Sequence, residues 1–93
     1  MSTEEIRVRG TVQGVGFRPT VYRLAKAYGL QGEVCNDGQG VLIRASGREE
    51  SIEEFVQKLQ KECPPLARID EVTRKRYEGK SIFHDFVISQ SVS

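Results

Sequence analysis

The stretch Val12-Gln13-Gly14-Val15-Gly16-Phe17-Arg18-Pro19 is where one hydrophobic period gives way to another. Upstream, Ile6, Val8 and Val12 alternate with Arg7, Arg9 and Thr11, the two-residue repeat of a half-buried strand. Downstream, Val21, Leu24, Ala25 and Tyr28 fall at i, i+3, i+4 and i+7, along one face of a helix. Pro19 suits the first helical position, where its fixed φ fits the turn and its missing N–H has no partner to lose. A glycine-bearing loop that feeds a helix start presents several backbone N–H groups in one direction, with the positive end of the helix dipole behind them. Arg18 adds a guanidinium fork at the mouth of the loop, shaped for two phosphate oxygens. The dipole disfavours a cation there, which points to an anion that compensates both. Spacing alone leaves two readings open, a small oxyanion cradle and a plain tight turn. A Walker A loop is excluded, since no Gly-Lys-Ser/Thr follows the glycines. The dinucleotide fingerprint also fails, because Pro19 stands where its third glycine belongs.

With 93 residues, 38% hydrophobic and 29% charged, the chain suits one small globular domain. Its net charge of +1 argues against a general nucleic-acid surface. No apolar run reaches membrane-spanning length, and the opening Met-Ser-Thr-Glu-Glu does not resemble a secretory signal, so a cytoplasmic location is expected. Cys35 and Cys63 lack metal-ligand spacing and His84 is the only histidine, so no metal site is expected. Free thiols and a single disulfide both remain open for the two cysteines.

Gly29 fits the position just past the first helix. Gly32–Cys35 and Gly40–Ala45 read as short strands, with Asn36-Asp37-Gly38-Gln39 as the turn of a hairpin. Two competing capping boxes, Ser46–Glu49 and Ser51–Glu54, precede a helix whose apolar face is Ile52, Phe55, Val56, Leu59 and Cys63. Pro64-Pro65 stops that helix. Strands are expected from Ile69 to Tyr77 and from Phe83 to Ser89, separated by a turn at Glu78-Gly79-Lys80-Ser81. The order β-α-β-β-α-β, plus a short last strand, predicts an α+β fold: a two-layer ferredoxin-like sandwich, with an antiparallel sheet and both helices on one face.

Such folds also serve RNA binding and metal delivery. Gly40–Ala45 carries no aromatic residue on which a base could stack, and Gln13–Arg18 carries no cysteine pair for copper. Cys35 reads as a packed strand thiol and His84 as a surface residue. Arg7 and Arg9 lie with Thr11 on the polar strand face, where steering of anions, contact with another domain and plain solvation all remain open.

Gly10-x-Val12-Gln13-Gly14-Val15-Gly16-Phe17-Arg18, followed by Gly32-x-Val34-x-Asn36-x-x-x-Gly40, resembles the two sequence motifs of the acylphosphatase family. The resemblance covers essentially the whole chain. Val34–Gly38, Cys63–Asp70 and the ending Phe86–Ser91 are further similar to the acylphosphatase-like domain that opens the hydrogenase maturation carbamoyltransferases, the HypF family. The resemblance implies that residues 1–93 are a single domain at the N-terminus of a larger multidomain enzyme. It implies hydrolysis of a carboxyl–phosphate anhydride without metal, cofactor or covalent intermediate. Backbone N–H groups of Gly14, Val15, Gly16, Phe17 and Arg18 would bind the phosphoryl group. Arg18 would be the essential arginine, and Asn36 the residue that orients water. In the HypF setting the implied substrate is carbamoyl phosphate. The other partners are the remaining domains of the same chain and the HypE protein, on the route to the cyanide ligands of nickel–iron hydrogenases.

These roles are chemically sound. A loose phosphoryl-transfer transition state needs mainly positioning and charge stabilisation, which amides and an arginine supply. Asn36 has no proton-accepting group strong enough for a base, yet its carboxamide can hold a water in line. Asp37 is the rival general base, and its other reading is a turn residue before Gly38. A domain that binds carbamoyl phosphate or docks a partner with little turnover of its own fits the same residues.

Overall fold

The computed structural model describes residues 2–38, 40–77 and 84–89. Five strands and two helices follow in the order β1 (Ser2–Thr11), α1 (Phe17–Ala27), β2 (Gln31–Asp37), β3 (Gly40–Gly47), α2 (Glu49–Lys61), β4 (Arg68–Arg76) and β5 (Phe86–Ile88). The alternation in β1 sends Ile6 and Val8 fully into the core and leaves Arg9 exposed. Val41, Ile43 and Ala45 of β3 and Val34 of β2 share that inner face. Phe17, Val21, Leu24 and Ala25 of α1 and Ile52, Phe55, Val56 and Leu59 of α2 close over it from one side.

Strand order across the sheet is β4-β1-β3-β2-β5. β1, β2, β3 and β4 pair antiparallel as expected. β5 instead pairs parallel to β2, Gly32 against Phe86 and Val34 against Ile88, so the sheet is mixed. The cause is direction: β4 runs against β1 and hence against β2, and β5 reverses again at the opposite edge. At the β4 edge, the charges of Arg68, Asp70, Glu71, Arg74, Lys75 and Arg76 blunt further strand pairing.

Helix α1 begins at Phe17 with Gly16 as its cap, which puts Pro19 third rather than first. The proline is tolerated because the whole first turn lacks intrahelical acceptors. The other end closes as foreseen at Gly29, where Leu30 N–H donates to Ala25 O at 2.9 Å and Gly29 N–H to Lys26 O at 3.1 Å. Neither capping box of α2 is used: Arg48 stands at the cap with no side-chain capping bond. Ser46 is held in β3, where its hydroxyl accepts from Thr3 Oγ1 at 3.1 Å, and Ser51 lies inside the helix. Glu49 and Glu50 in the first turn offset the dipole instead.

The expected four-residue turn is also shorter. Asn36 pairs with Val41 and Asp37 with Gly40, so both belong to β2 and only positions 38 and 39 connect the strands. Neither Cys35, which is buried, nor Cys63, which is half-buried, is in a disulfide, which removes the disulfide reading. His84 is exposed. The last strand is confined to Phe86–Ile88; the turn expected at residues 78–81 and the strand start expected at 83 lie outside the described residues. No helix among the described residues is long and apolar enough to cross a membrane.

Candidate active site

Both β1 and β2 pair antiparallel with β3, so they run in the same direction and finish at the same end of the sheet. Val8 and Asn36 both face Val41 across their ladders, which puts Val8, Val41 and Asn36 in one row. β1 continues past that row into the 12–16 loop, and α1 returns over the sheet, packing against β2 and β5. The N-terminus of α1 and Asn36 therefore share one end of the molecule.

The loop is shaped by glycine backbone. Gly14 and Gly16 have φ of 73° and 80°, and a Cβ at either would meet nothing within 4 Å. The left-handed conformation, not a shortage of room, calls for glycine there. Val12 and Phe17, each 1% exposed, anchor the two ends of the loop in the core. Thr20 secures the helix start, its Oγ1 donating to Gly16 O at 3.1 Å. Gln13 Nε2 donates to Gly40 O at 3.0 Å and fastens the loop to the first residue of β3.

Between these anchors the amides are available. Among the described residues, no N–H from Gly14 to Arg18 donates to a backbone carbonyl. The first turn of α1 carries no acidic residue. Arg18, second in the helix and half-buried, makes no ion pair or side-chain hydrogen bond with a described residue. The amide donors and the dipole thus put positive potential at the start of α1, a turn that carries no carboxylate and whose second residue is Arg18. Beside the loop, Gly10, Thr11, Val12, Gln13, Gly38 and Gly40 line a depression of about 300 Å³.

Alternation along β2 sends Asn36 to the helix-covered side with Val34. Its Oδ1 is buried and has no hydrogen-bond partner among the described residues. A buried acceptor of this kind costs about 1–3 kcal/mol when left unmade, so a donor brought to it would be received favourably. The side chain of Asp37, the rival base, lies outside the described residues. Among the described residues no group of three or more His, Cys, Asp or Glu side chains could hold a metal ion.

Shifted titrations sit elsewhere. The Lys26 ammonium beside Asp85, with the Phe86 N–H, holds that carboxyl below the usual aspartate range. The Arg74 guanidinium lowers Glu53 and bridges it to Glu4. The anchoring contacts of Gln13 and Thr20 are the features that the sequence did not foretell; Gln13 stood in the quoted family motif without a role, and Thr20 was signalled only by its four-residue spacing from Gly16.

The acylphosphatase family model matches residues 4–88. Carbamoyltransferase HypF2 of Cupriavidus necator is 50% identical over 86 residues, 92% of this chain but only 11% of that protein's length. An acylphosphatase of Caldivirga maquilingensis is 46% identical over 83 residues, covering 87% of this chain and 86% of that one. A crystal structure of full-length HypF in its phosphate- and nucleotide-bound form superposes with a TM-score of 0.90 at 37% identity, covering 97% of this chain and 12% of that one. The chain thus spans a small part of the carbamoyltransferases and nearly all of a stand-alone acylphosphatase. With the family motifs in the loop and strand described above, this chain belongs to the acylphosphatase family.

Proposed function

We propose that the chain hydrolyses an acyl phosphate at the Gly14–Arg18 loop, with carbamoyl phosphate as its substrate. The observation that carries this reading is the orphaned Asn36 Oδ1, buried at the end of the sheet where the free amides and Arg18 stand. Amides of Gly14, Val15, Gly16, Phe17 and Arg18, with the Arg18 guanidinium, receive the phosphoryl oxygens. Asn36 Oδ1 accepts a hydrogen bond from the attacking water. The water oxygen bonds to phosphorus as the bond from phosphorus to the acyl oxygen breaks. One water proton remains on the new P–OH, the other passes to a phosphoryl oxygen, and carbamate leaves as the anion. Preorganised donors are effective here because they need no rearrangement as charge develops.

The carbamoyltransferase relatives supply the wider setting. In it the chain is the N-terminal domain of a cytoplasmic HypF-type enzyme. The released carbamate passes to the remaining domains, and HypE is the downstream acceptor on the way to the cyanide ligands of nickel–iron hydrogenases. Single-turnover assays of carbamoyl phosphate and acetyl phosphate, run beside a titration with inorganic phosphate, test the core of the proposal. Faster release of phosphate from carbamoyl phosphate is expected. Tight phosphate binding with no turnover of either compound would replace hydrolysis by a binding role, which the small share of the carbamoyltransferases spanned by this chain favours as the second reading.

A further inference from the structure

We infer that Gln13 is a positioning residue that sets the distance between the phosphoryl site and the water held by Asn36; this rests on the acyl phosphate reading above. The two halves of the proposed site come from different parts of the chain. The amides and Arg18 belong to the 12–18 segment, whereas Asn36 belongs to β2. Between the buried anchors Val12 and Phe17, the loop forms no strand ladder among the described residues. Its hold on α1 is Gly16 O, which accepts from Thr20 N–H at 3.4 Å and from Thr20 Oγ1 at 3.1 Å. The Gln13 carboxamide crosses the gap, its Nε2 donating to Gly40 O at 3.0 Å. Gly40 pairs with Asp37, the next pair along from Asn36 and Val41. The bond therefore ties the loop to the ladder rung adjoining the one that carries Asn36.

The anchor is stiff. A Cβ at Gly40 would lie 2.2 Å from Val8 O, so the β1 and β3 backbones are already in closest approach there. A loop tied to that point cannot drift from the sheet without breaking the bond. In-line attack is sensitive to such drift, because displacement of the reacting groups by about 1 Å can cost roughly 100-fold in rate. Binding of inorganic phosphate depends on the amides and Arg18 alone, and so is indifferent to where Asn36 stands.

The test uses Gln13→Met, which keeps the length of the side chain and removes its donor. Gln13 is exposed, so the core is untouched. The measurements are kcat for carbamoyl phosphate, the inhibition constant of inorganic phosphate, and the melting temperature. The expected result is a kcat lowered roughly 10- to 100-fold, with phosphate affinity within about twofold of the parent. A double-mutant cycle separates positioning from general loosening: in an Asn36→Ala background, Gln13→Met should cost little more. Full additivity of the two substitutions, or phosphate affinity falling in step with kcat, overturns the proposal. An unimpaired Gln13→Met beside an inactive Arg18→Ala overturns the positioning role alone. An active Arg18→Ala overturns the reading of the site and this inference with it.

Discussion

Replacing Arg18 by methionine should make the ligand-free protein more stable while abolishing its affinity for phosphate. Arg18 is second in α1, a turn with no acidic residue, and it has no carboxylate partner among the described residues. Its charge therefore stands against the helix dipole, a placement that costs about 0.3–1 kcal/mol at low ionic strength. Methionine keeps an unbranched stem of similar packing, so the change isolates the charge. In a domain of this size the gain corresponds to a rise of about 1–8 °C in melting temperature. Added salt should shrink it, because the dipole interaction is screened. With phosphate present the order reverses. Phosphate at 100 times its dissociation constant stabilises the parent by about 2.7 kcal/mol. Loss of two charge-assisted hydrogen bonds, about 1.5–3 kcal/mol each, weakens binding by at least roughly 100-fold and erases that gain. Differential scanning calorimetry at low ionic strength, with and without phosphate, reads both signs. A variant less stable than the parent without phosphate, or one that phosphate stabilises equally, refutes the account of Arg18.

The remaining predictions are more local. Asn36→Ala should cut turnover of carbamoyl phosphate by about 100-fold and spare the inhibition constant of phosphate, whereas Asp37→Asn should leave turnover within a few-fold; steady-state kinetics that find the reverse would transfer the catalytic role to Asp37. Gly16→Ala should cost about 1–2 kcal/mol, because its φ is left-handed but its surroundings are open, while Gly40→Ala should cost about 3 kcal/mol because its Cβ would strike Val8 O; urea titrations giving equal losses would contradict this. The lowered pKa of Asp85 means that its ion pair with Lys26 adds stability above the ordinary aspartate range and loses it as pH falls through the folded-state value. The protection factor of the Phe86 amide, the unstructured exchange rate divided by the observed rate at the same pH, should therefore fall on acidification, and Asp85→Asn should flatten that dependence.

Local patterning carried most of the architecture. The helix faces were legible because Val21, Leu24 and Ala25, and likewise Ile52, Phe55, Val56 and Leu59, repeat at the helical period and are buried as that period demands. Local signals failed where tertiary pairing outbid them. Ser46 has the chemistry of a cap, yet the β1–β3 ladder claims it through Thr3 and draws it into the strand. Asn36 and Asp37 have the chemistry of a turn, but two more ladder pairs close with β3 when they extend β2. Placing Asn36 on a strand fixes its side chain more firmly than a turn would. For the site, the glycine loop and Arg18 were visible as a motif. The unmade bond of Asn36 and the reach of Gln13 to Gly40 depend on register between distant strands, which no single segment encodes.

The parallel pairing of β5 decides the direction in which the chain runs from Phe86 to Ser89. Because β5 runs with β2, it advances toward the end of the sheet that holds the loop and Asn36. Ser89 donates its N–H to Val34 O at 2.8 Å, two residues or about 7 Å along the strand from the level of Asn36. An antiparallel last strand at the same edge would have turned the polypeptide to the far end of the sheet. Ser89, the last described residue, therefore stands toward the end of the sheet where α1 begins, not at the opposite end.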